Sequence, residues 1–197
     1  MLPRKPLSHC LLVCGLLVLG SSLSQAQGAP AATAGPVPTL VLEDLGKGAA
    51  PLDGPWQFHL GDDLAWAAPD ADDSQWEQLT ADKTWGAQGH YSYTGFAWYR
   101  RHISLTPAPG GTQDFALMVP AVDDAYELYW NGKRIGKNGK LPPNPTWIFA
   151  QPPQTFGMGQ ARSGVLAVRV WKAPLSSEDP GTLGGFEGVP VVGSPEA

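Results

Sequence analysis

Apolar and polar residues alternate along several short stretches of the chain, and this alternation is the pattern of half-buried β-strands. In Phe96–Leu105, Tyr99 and Ile103 fall on one face, while Trp98 and Arg100 fall on the other. The other segments with this pattern are Trp56–Leu60, Asp114–Pro120, Tyr126–Trp130 and Val165–Trp171. No long segment shows the 3.6-residue period of an amphipathic helix. We therefore predict an all-β, single-domain sandwich or jelly roll.

Two local signals refine this prediction. Asn131-Gly132 separates two β-forming segments, and this dipeptide favours a type I′ turn because both central residues need a positive φ. We expect Tyr126–Gly136 to be a scaffold hairpin whose turn sets the strand register. Between Asp70 and Leu79, acidic and serine residues precede an aromatic side chain, and this predicts a short capped helical turn.

The N-terminal region has the features of a secretory signal peptide. Arg4 and Lys5 precede the apolar run Cys10–Leu19, and Ser24–Ala26 resembles a small-x-small cleavage site. The alternative is an uncleaved membrane anchor, which the shortness of the apolar run disfavours. The predicted organisation is a signal peptide at 1–26, a flexible linker at 27–38 and one folded domain at 39–197.

Composition and charge argue against several classes of function. Cys10 and Cys14 both lie in the predicted signal peptide, so the mature chain would hold neither a disulfide nor a thiolate site. The formal charge of −5 becomes −7 once Arg4 and Lys5 are removed, and no basic stripe is visible. This charge argues against nucleic acid as a partner. We expect a periplasmic or extracellular protein.

Four motifs occur in an order that resembles a known family. They are Gly54–Phe58 (Gly-x-Trp-x-Phe), Trp98–Arg100, Asn131–Lys133 and Leu166–Trp171. Over Leu52–Gly193 they resemble the sugar-binding domain of glycoside hydrolase family 2. The resemblance implies a galactose-binding-like jelly-roll β-sandwich that binds carbohydrate. The catalytic barrel that carries the carboxylates of that family has no counterpart in these 197 residues.

A second resemblance is to the exported N-terminal sensory domain of bacterial membrane signalling proteins. Asp62–Trp76, Gly95–Arg100 and Gly184–Gly193 carry it. In such proteins, membrane helices and an output domain follow, such as a phosphatase, a histidine kinase or a diguanylate cyclase. No such segment precedes Ala197. We expect either a fragment of a membrane-tethered sensor or a domain that works alone.

The ionisable residues suggest no catalytic or metal site. Five acidic residues at Asp62–Asp73 could bind calcium, but solvated loop carboxylates and helix caps are the favoured interpretation. Asp123 and Asp124 could form an acid–base pair, yet neighbouring strand residues point to opposite faces. We expect one of them to tie down a turn and Asp123 to reach a ligand. The histidines lack zinc-ligand spacing, and we predict no cofactor.

Aromatic residues in two long loops, Lys83–Phe96 and Leu141–Pro153, are the main candidates for ligand binding. Aromatic faces beside amide and imidazole groups suit a sugar ring, although the same rings could simply brace the loops. Because these loops hold few basic residues, we expect binding to depend little on salt. The predicted ligand-binding residues are Trp85, His90, Tyr91, Tyr93, Asp123, Asn144 and Trp147.

The functional hypothesis is an exported, non-catalytic module that binds a carbohydrate or another small polar ligand. It would be the sensory part of a bacterial signalling protein. The alternatives are the N-terminal sugar-binding fragment of a glycoside hydrolase and a protein-interaction domain, because one sandwich fold serves many functions.

Overall fold

The computed structural model describes residues 37–45, 48–110, 114–146, 152–160, 162–175 and 179–195. The predicted signal peptide and nearly all of the predicted linker lie outside these ranges. Within the described ranges, no helix has the length and apolar character needed to cross a membrane. Two 3₁₀ turns interrupt an otherwise all-β domain, at Leu64–Ala67 and Gly86–Gln88.

The strands of the described chain form a sandwich, which confirms the predicted all-β fold. They are β1 (Thr39–Leu45), β2 (Ala49–Pro51), β3 (Trp56–Leu60), β4 (Glu77–Leu79), β5 (Gly95–Pro107), β6 (Phe115–Val119), β7 (Val122–Asp123), β8 (Ala125–Trp130), β9 (Lys133–Asn138), β10 (Gln154–Gly159), β11 (Ser163–Lys172), β12 (Gly185–Phe186) and β13 (Val191–Gly193). The five strands predicted from the alternation are β3, β5, β6, β8 and β11.

Two main sheets carry the fold. The larger has the order β4-β3-β5-β11-β8-β9, with β1 parallel to the second half of β5. The smaller has the order β10-β6-β13-β2, and β12 pairs with β7 in a separate two-stranded ribbon. The main hydrophobic core is formed by the apolar residues that alternate inwards, such as Tyr99, Val168 and Leu128. Those three residues are aligned across β5, β11 and β8.

The β8–β9 hairpin turns at the predicted dipeptide. Asn131 has a φ of 50° and Gly132 a φ of 80°, as a type I′ turn requires. The Asn131 side chain also links the turn to β11, because its Oδ1 accepts from Val165 N at 2.9 Å and its Nδ2 donates to Ser163 O at 3.2 Å. The prediction of a scaffold hairpin is therefore confirmed in its geometry.

The predicted helical turn at Asp70–Leu79 is wrong. The 3₁₀ turn lies earlier, at Leu64–Ala67, where the Asp63 side chain accepts from Ala65 N. Glu77–Leu79 is a strand that pairs with β3. Hydrogen bonds to β3 at the edge of the sheet satisfy the backbone of Glu77–Leu79. This pairing outweighs the preference of the preceding acidic and serine residues for a helix N-terminus.

The 61–76 segment crosses the outer face of the larger sheet and forms a second, smaller core. Trp66 and Trp76 pack edge to face, with their ring centroids 5.2 Å apart. Trp66 also contacts Trp98 at 6.2 Å, and Trp98 is fully buried. The segment therefore covers the outer face of β3 and β5 and, through contacts with Tyr129 and Ala167, part of the outer face of β8 and β11.

Cross-strand register brings many loops to one end of the larger sheet, which we call the loop end. Leu60 pairs with Ala97, Gly95 with Lys172, Trp171 with Ala125 and Tyr126 with Asn138. The segments that leave the sheet here begin at residues 61, 139 and 173 and end at residues 94 and 124. Both loops with predicted ligand contacts therefore reach the same end of the sandwich.

Candidate functional site

A cavity of about 450 Å³ opens on the outer face of the larger sheet at the loop end. Its floor is formed by β8, β9 and β11, and its wall by the 139–144 segment. The lining residues are Glu127, Lys137, Gly139, Lys140, Leu141, Pro142, Pro143, Asn144 and Arg169. Small-molecule sites usually occupy about 300–1,000 Å³, so this cavity has a suitable size.

Register aligns the charged floor of the cavity. Arg169 on β11 pairs with Glu127 on β8, which pairs with Lys137 on β9. Neighbours of Arg169 and Glu127 along their strands point into the main core, so these two side chains project outwards. The strands thus place a guanidinium, a carboxylate and an ammonium in one row across the sheet.

Arg169 and Glu127 belong to a closed network of ion pairs. Arg169 Nε and Nη2 donate to Asp62 Oδ1 and Oδ2 at 2.7 and 2.5 Å, and its Nη1 donates to Glu127 Oε2 at 3.1 Å. Arg134 Nη1 donates to Glu127 Oε1 at 2.7 Å, and the Tyr129 hydroxyl donates to Glu127 Oε2 at 2.8 Å. Two guanidiniums balance two carboxylates, so the network carries no net charge.

These contacts also set the ionisation of the network. Burial alone would raise the pKa of Glu127, but hydrogen bonds from Tyr129, Arg169 and Arg134 lower it below its usual value. Burial alone would lower the pKa of Arg169, but Asp62 and Glu127 raise it. Glu127 and Arg169 therefore remain ionised at neutral pH.

Lys137 and Lys140 are different, because no carboxylate balances them. Both are exposed. Among the ion pairs of the described residues, neither lysine has a carboxylate partner within 4.0 Å. The cavity therefore has a surplus of two positive charges beside a neutral network.

The wall of the cavity is held by backbone pairing and a small apolar cluster. Lys140 N donates to Thr146 O at 2.7 Å, and Thr146 N donates back to Lys140 O at 3.0 Å. Leu141 packs against Trp171, beside Ala125. Gly139 has a φ of 69°, and a Cβ there would collide with Ala125, so glycine is required at this turn.

Among the predicted ligand-binding residues, the structure places Asn144 in this cavity. Trp147, the other candidate in the same loop, lies outside the described residues. The remaining five candidates do not line the cavity and are distributed over the loop end.

The predicted aromatic loop at 83–96 is mostly tied into the domain. Trp85 is fully buried in the main core. His90 Nε2 lies 2.8 Å from Glu77 Oε2, and the Tyr93 hydroxyl donates to Phe96 O at 2.7 Å. Only Tyr91 of the four candidates in this loop is well exposed, at 65%. The bracing role describes Trp85 and Tyr93 better than ligand contact does.

Asp123 and Asp124 converge on one lysine, which contradicts the expectation that they point to opposite faces. Lys172 Nζ lies 3.3 Å from Asp123 Oδ2 and 3.9 Å from Asp124 Oδ2, and the peptide bond between the two aspartates is cis. Asp179 Oδ2 lies 2.9 Å from the same ammonium. Asp124 Oδ2 also accepts from Ala173 N at 2.7 Å, so Asp124 anchors the backbone after β11.

Burial and the neighbouring Asp124 raise the pKa of Asp123 to about 7, although the Lys172 ammonium acts in the opposite direction. Such a carboxyl could act as a general acid, but its side chain is only 10% exposed and does not line the cavity. Asp123, Asp124, Asp179 and Lys172 therefore form a structural ion-pair cluster, in which the pKa of Asp123 is raised.

We predict that Asp123→Asn changes the pH dependence of stability. Asp123 takes up a proton near pH 7 in the folded state and near 3.8 when unfolded. Between these values the folded state binds more protons, so the free energy of unfolding falls as pH rises towards 7. Asp123→Asn removes this contribution, and its stability relative to the native protein should rise from pH 5 to about 7 and then level off.

Urea unfolding at pH 5, 6, 7 and 8 measures this difference. Asp70→Asn is the control, because Asp70 is exposed. Asp179 and Asp73 have lowered pKa values, so they titrate below this pH window in both proteins. Parallel stability curves for Asp123→Asn and the native protein would contradict the prediction.

The acidic residues at 62–73 have separate structural roles. Asp62 pairs with Arg169, Asp63 and Asp72 accept from backbone N–H groups, and Asp73 pairs with Arg100. Within the described part of the chain, no group of three or more histidine or acidic side chains is arranged to hold a metal ion.

The sequence interpretation missed four residues of the cavity: Glu127, Lys137, Lys140 and Arg169. A signal was present, because Glu127 and Arg169 are charged residues in the middle of otherwise apolar strands. A buried strand tolerates such residues only on an outward face or in a pair. Their pairing with each other depended on a register that the sequence pattern does not reveal.

Solved structures with the same fold are parts of glycosidases. The chain is similar to a β-glucuronidase of Bacteroides uniformis, with 23% identity, a TM-score of 0.57, and coverage of 74% of this chain and 17% of that one. It is also similar to a glycosyl hydrolase family 2 member from Bacteroides cellulosilyticus, with 17% identity and a TM-score of 0.56, over 74% of this chain and 20% of that one. A β-glycosidase from Bacteroides vulgatus gives 18% identity and a TM-score of 0.56 over the same shares.

These similarities define the class of fold, a β-sandwich shared with one part of family 2 glycosidases. The chain spans only 17–20% of the length of these three enzymes. No protein-family model matches the chain, and no curated protein matches it.

Proposed function

We propose that this protein is an exported, non-catalytic carbohydrate-binding module whose ligand occupies the cavity between β8, β9, β11 and the 139–144 segment. The observation that carries the proposal is the cavity itself, which is sized for a small ligand and lined by polar groups. The fold shared with family 2 glycosidases supports a saccharide as the class of ligand.

The lining offers the mixture of groups that a saccharide needs. Leu141, Pro142 and Pro143 present apolar surface to the C–H face of a sugar ring, and the Asn144 amide can donate and accept hydrogen bonds. Glu127 and Arg169 form a polar floor that their ion pairs hold rigid. Few polar groups at fixed positions within an apolar lining are typical of small-molecule sites.

Two contexts are compatible with such a module. We propose that it is the sensory part of a bacterial signalling protein, in line with the resemblance of Asp62–Trp76 and Gly184–Gly193 described above. The second candidate is the sugar-binding fragment of a glycoside hydrolase, which the glycosidase neighbours favour. The reading frame after Ala197 tests this choice, since membrane helices support the sensor and a catalytic barrel supports the hydrolase.

The binding proposal predicts that Asn144→Ala weakens the affinity for a saccharide by roughly 1–2 kcal/mol, because a hydrogen-bonding group of the cavity is lost. The protein is purified after export. Because the predicted signal peptide ends at Ala26, mass spectrometry should show Gln27 as the first residue of the purified protein. A glycan array identifies a ligand, and calorimetry then compares the native protein with the variant.

Tyr91→Ala is the matched control, because Tyr91 is the exposed residue of the alternative aromatic loop. Loss of affinity in Asn144→Ala alone supports the cavity. Loss in Tyr91→Ala alone moves the ligand to the 83–96 loop. If no saccharide on the array binds, the carbohydrate proposal fails and a protein-interaction domain becomes the better hypothesis.

A further inference from the structure

Positive charge is concentrated at the cavity in a protein that is acidic as a whole. Three of the nine lining residues are cationic, against 13 lysines and arginines in the 197-residue chain. The formal net charge of the chain is −5. Because the net charge is negative, the protein as a whole does not attract anions. A local group of cations can therefore select an anionic ligand that fits the cavity.

The lysines are the only lining charges that are available to a ligand. Asp62 and Glu127 already occupy the guanidinium of Arg169, and Arg134 completes the neutralisation of Glu127. The Glu127 carboxylate lines the cavity and would repel an anion, but two guanidiniums and the Tyr129 hydroxyl surround it. The potential at the cavity is therefore set by Lys137 and Lys140.

Both lysines line the cavity. Lys137 belongs to the floor on β9, and Lys140 belongs to the wall at 139–144. An anionic group between the two ammoniums leaves the rest of the ligand against Pro142, Pro143 and Asn144. Lysine ammoniums hold an oxyanion as point charges without demanding a single geometry.

Resting on the function proposed above, we propose that the ligand is an acidic saccharide, whose carboxylate or sulfate group is bound by Lys137 and Lys140. A neutral sugar would leave both ammoniums in the cavity without a counter-charge. A nucleic acid is disfavoured by the negative net charge of the chain.

This placement reverses the expectation that binding depends little on salt. That expectation considered only the loops, which hold few basic residues, whereas Lys137 is contributed by a strand. Attraction between an exposed ammonium and an anion is screened by salt, with a Debye length of about 10 Å at 0.1 M. We now expect the affinity to fall as the salt concentration rises.

The test compares three oligosaccharides of equal length, built from galactose, galacturonic acid and galactose 6-sulfate, by calorimetry at 20 and 300 mM NaCl. The native protein should bind at least one acidic ligand roughly tenfold more tightly than the neutral one at low salt. In Lys137→Gln/Lys140→Gln this preference and its salt dependence should disappear. The control is Lys133→Gln, which removes an exposed lysine at the opposite end of β9.

The outcomes separate this inference from the proposed function. Equal affinity for neutral and acidic ligands, sensitive to Asn144→Ala, overturns the acidic ligand and leaves the carbohydrate module intact. An acidic preference that survives in Lys137→Gln/Lys140→Gln overturns the assignment to these lysines. Binding of free sulfate as tightly as the sulfated oligosaccharide shows an anion site without saccharide recognition. Binding of none of the three overturns the acidic ligand, whereas the glycan array decides whether the protein binds carbohydrate. The carboxylate and sulfate arms identify which anion is preferred.

Discussion

Trp85→Ala is expected to lower the free energy of unfolding by about 3–5 kcal/mol, which is the usual cost of deleting a large buried aromatic side chain. The Trp85 ring is fully buried. Its centroid lies 5.9 Å from that of Phe58 and 6.5 Å from that of Tyr99, and it stacks on the latter ring. Removing it leaves a cavity at the centre of the aromatic core.

Chemical denaturation of Trp85→Ala and of Tyr91→Ala measures this difference. Tyr91 is in the same loop but exposed, and its removal should change stability by no more than ~0.5 kcal/mol. If Trp85→Ala does not fold, Trp85→Phe provides a milder variant that should lose part of the same stability. A native-like denaturation midpoint for Trp85→Ala, with loss of ligand affinity, would show that Trp85 contacts ligand rather than stabilising the core.

Arg100→Met is expected to destabilise the protein by about 3–5 kcal/mol, because it leaves the buried Asp73 carboxylate without its main partner. Arg100 is fully buried, and its Nε donates to Asp73 Oδ2 at 2.7 Å. Its other nitrogens donate to the carbonyls of Trp66, Ala68 and Ala71. One side chain thus holds the 61–76 segment against the outer face of the sheet.

The comparison for Arg100→Met is His102→Gln, because His102 contacts the same carboxylate but is partly exposed. Urea unfolding should show a much smaller loss for His102→Gln. Burial alone would raise the pKa of Asp73, but hydrogen bonds from His102 and Arg100 hold it below 3.8. The ionised Asp73 carboxylate therefore adds to the free energy of unfolding above about pH 4, and this contribution is lost as pH falls through the lowered pKa of Asp73. Equal losses in both variants would contradict a dominant role for Arg100.

Local sequence patterns were sufficient to predict the strands β3, β5, β6, β8 and β11 and the hairpin turn. Alternation places Tyr99 and Ile103 on the inner face of β5, because neighbouring side chains on a strand point to opposite faces. Asn131-Gly132 specifies its turn because the two residues tolerate a positive φ. These features depend on a few consecutive residues, so they can be recognised without the rest of the chain.

The candidate site could be predicted only in part. Asn144 was found because it lies in a long loop with turn residues around it. Trp85 was predicted to contact ligand, and its ring is buried; a tryptophan in a loop sequence is equally compatible with an exposed and a buried ring. The close approach of Gly184 and Gly185 to the rings of Trp85 and Tyr99, which the folded domain alone produces, places this part of the loop in the core.

The sequence by itself determined the strands β3, β5, β6, β8 and β11, the position of the hairpin turn and the apolar face of these strands. The tertiary structure decided which charges meet. Arg169, Glu127 and Lys137 come from three strands, and Asp123 and Asp124 meet Lys172 from across the loop end. Side-chain direction follows from two-residue periodicity, which is local. The partners of a side chain depend instead on cross-strand register and on the paths of loops, which the packing of the whole domain determines.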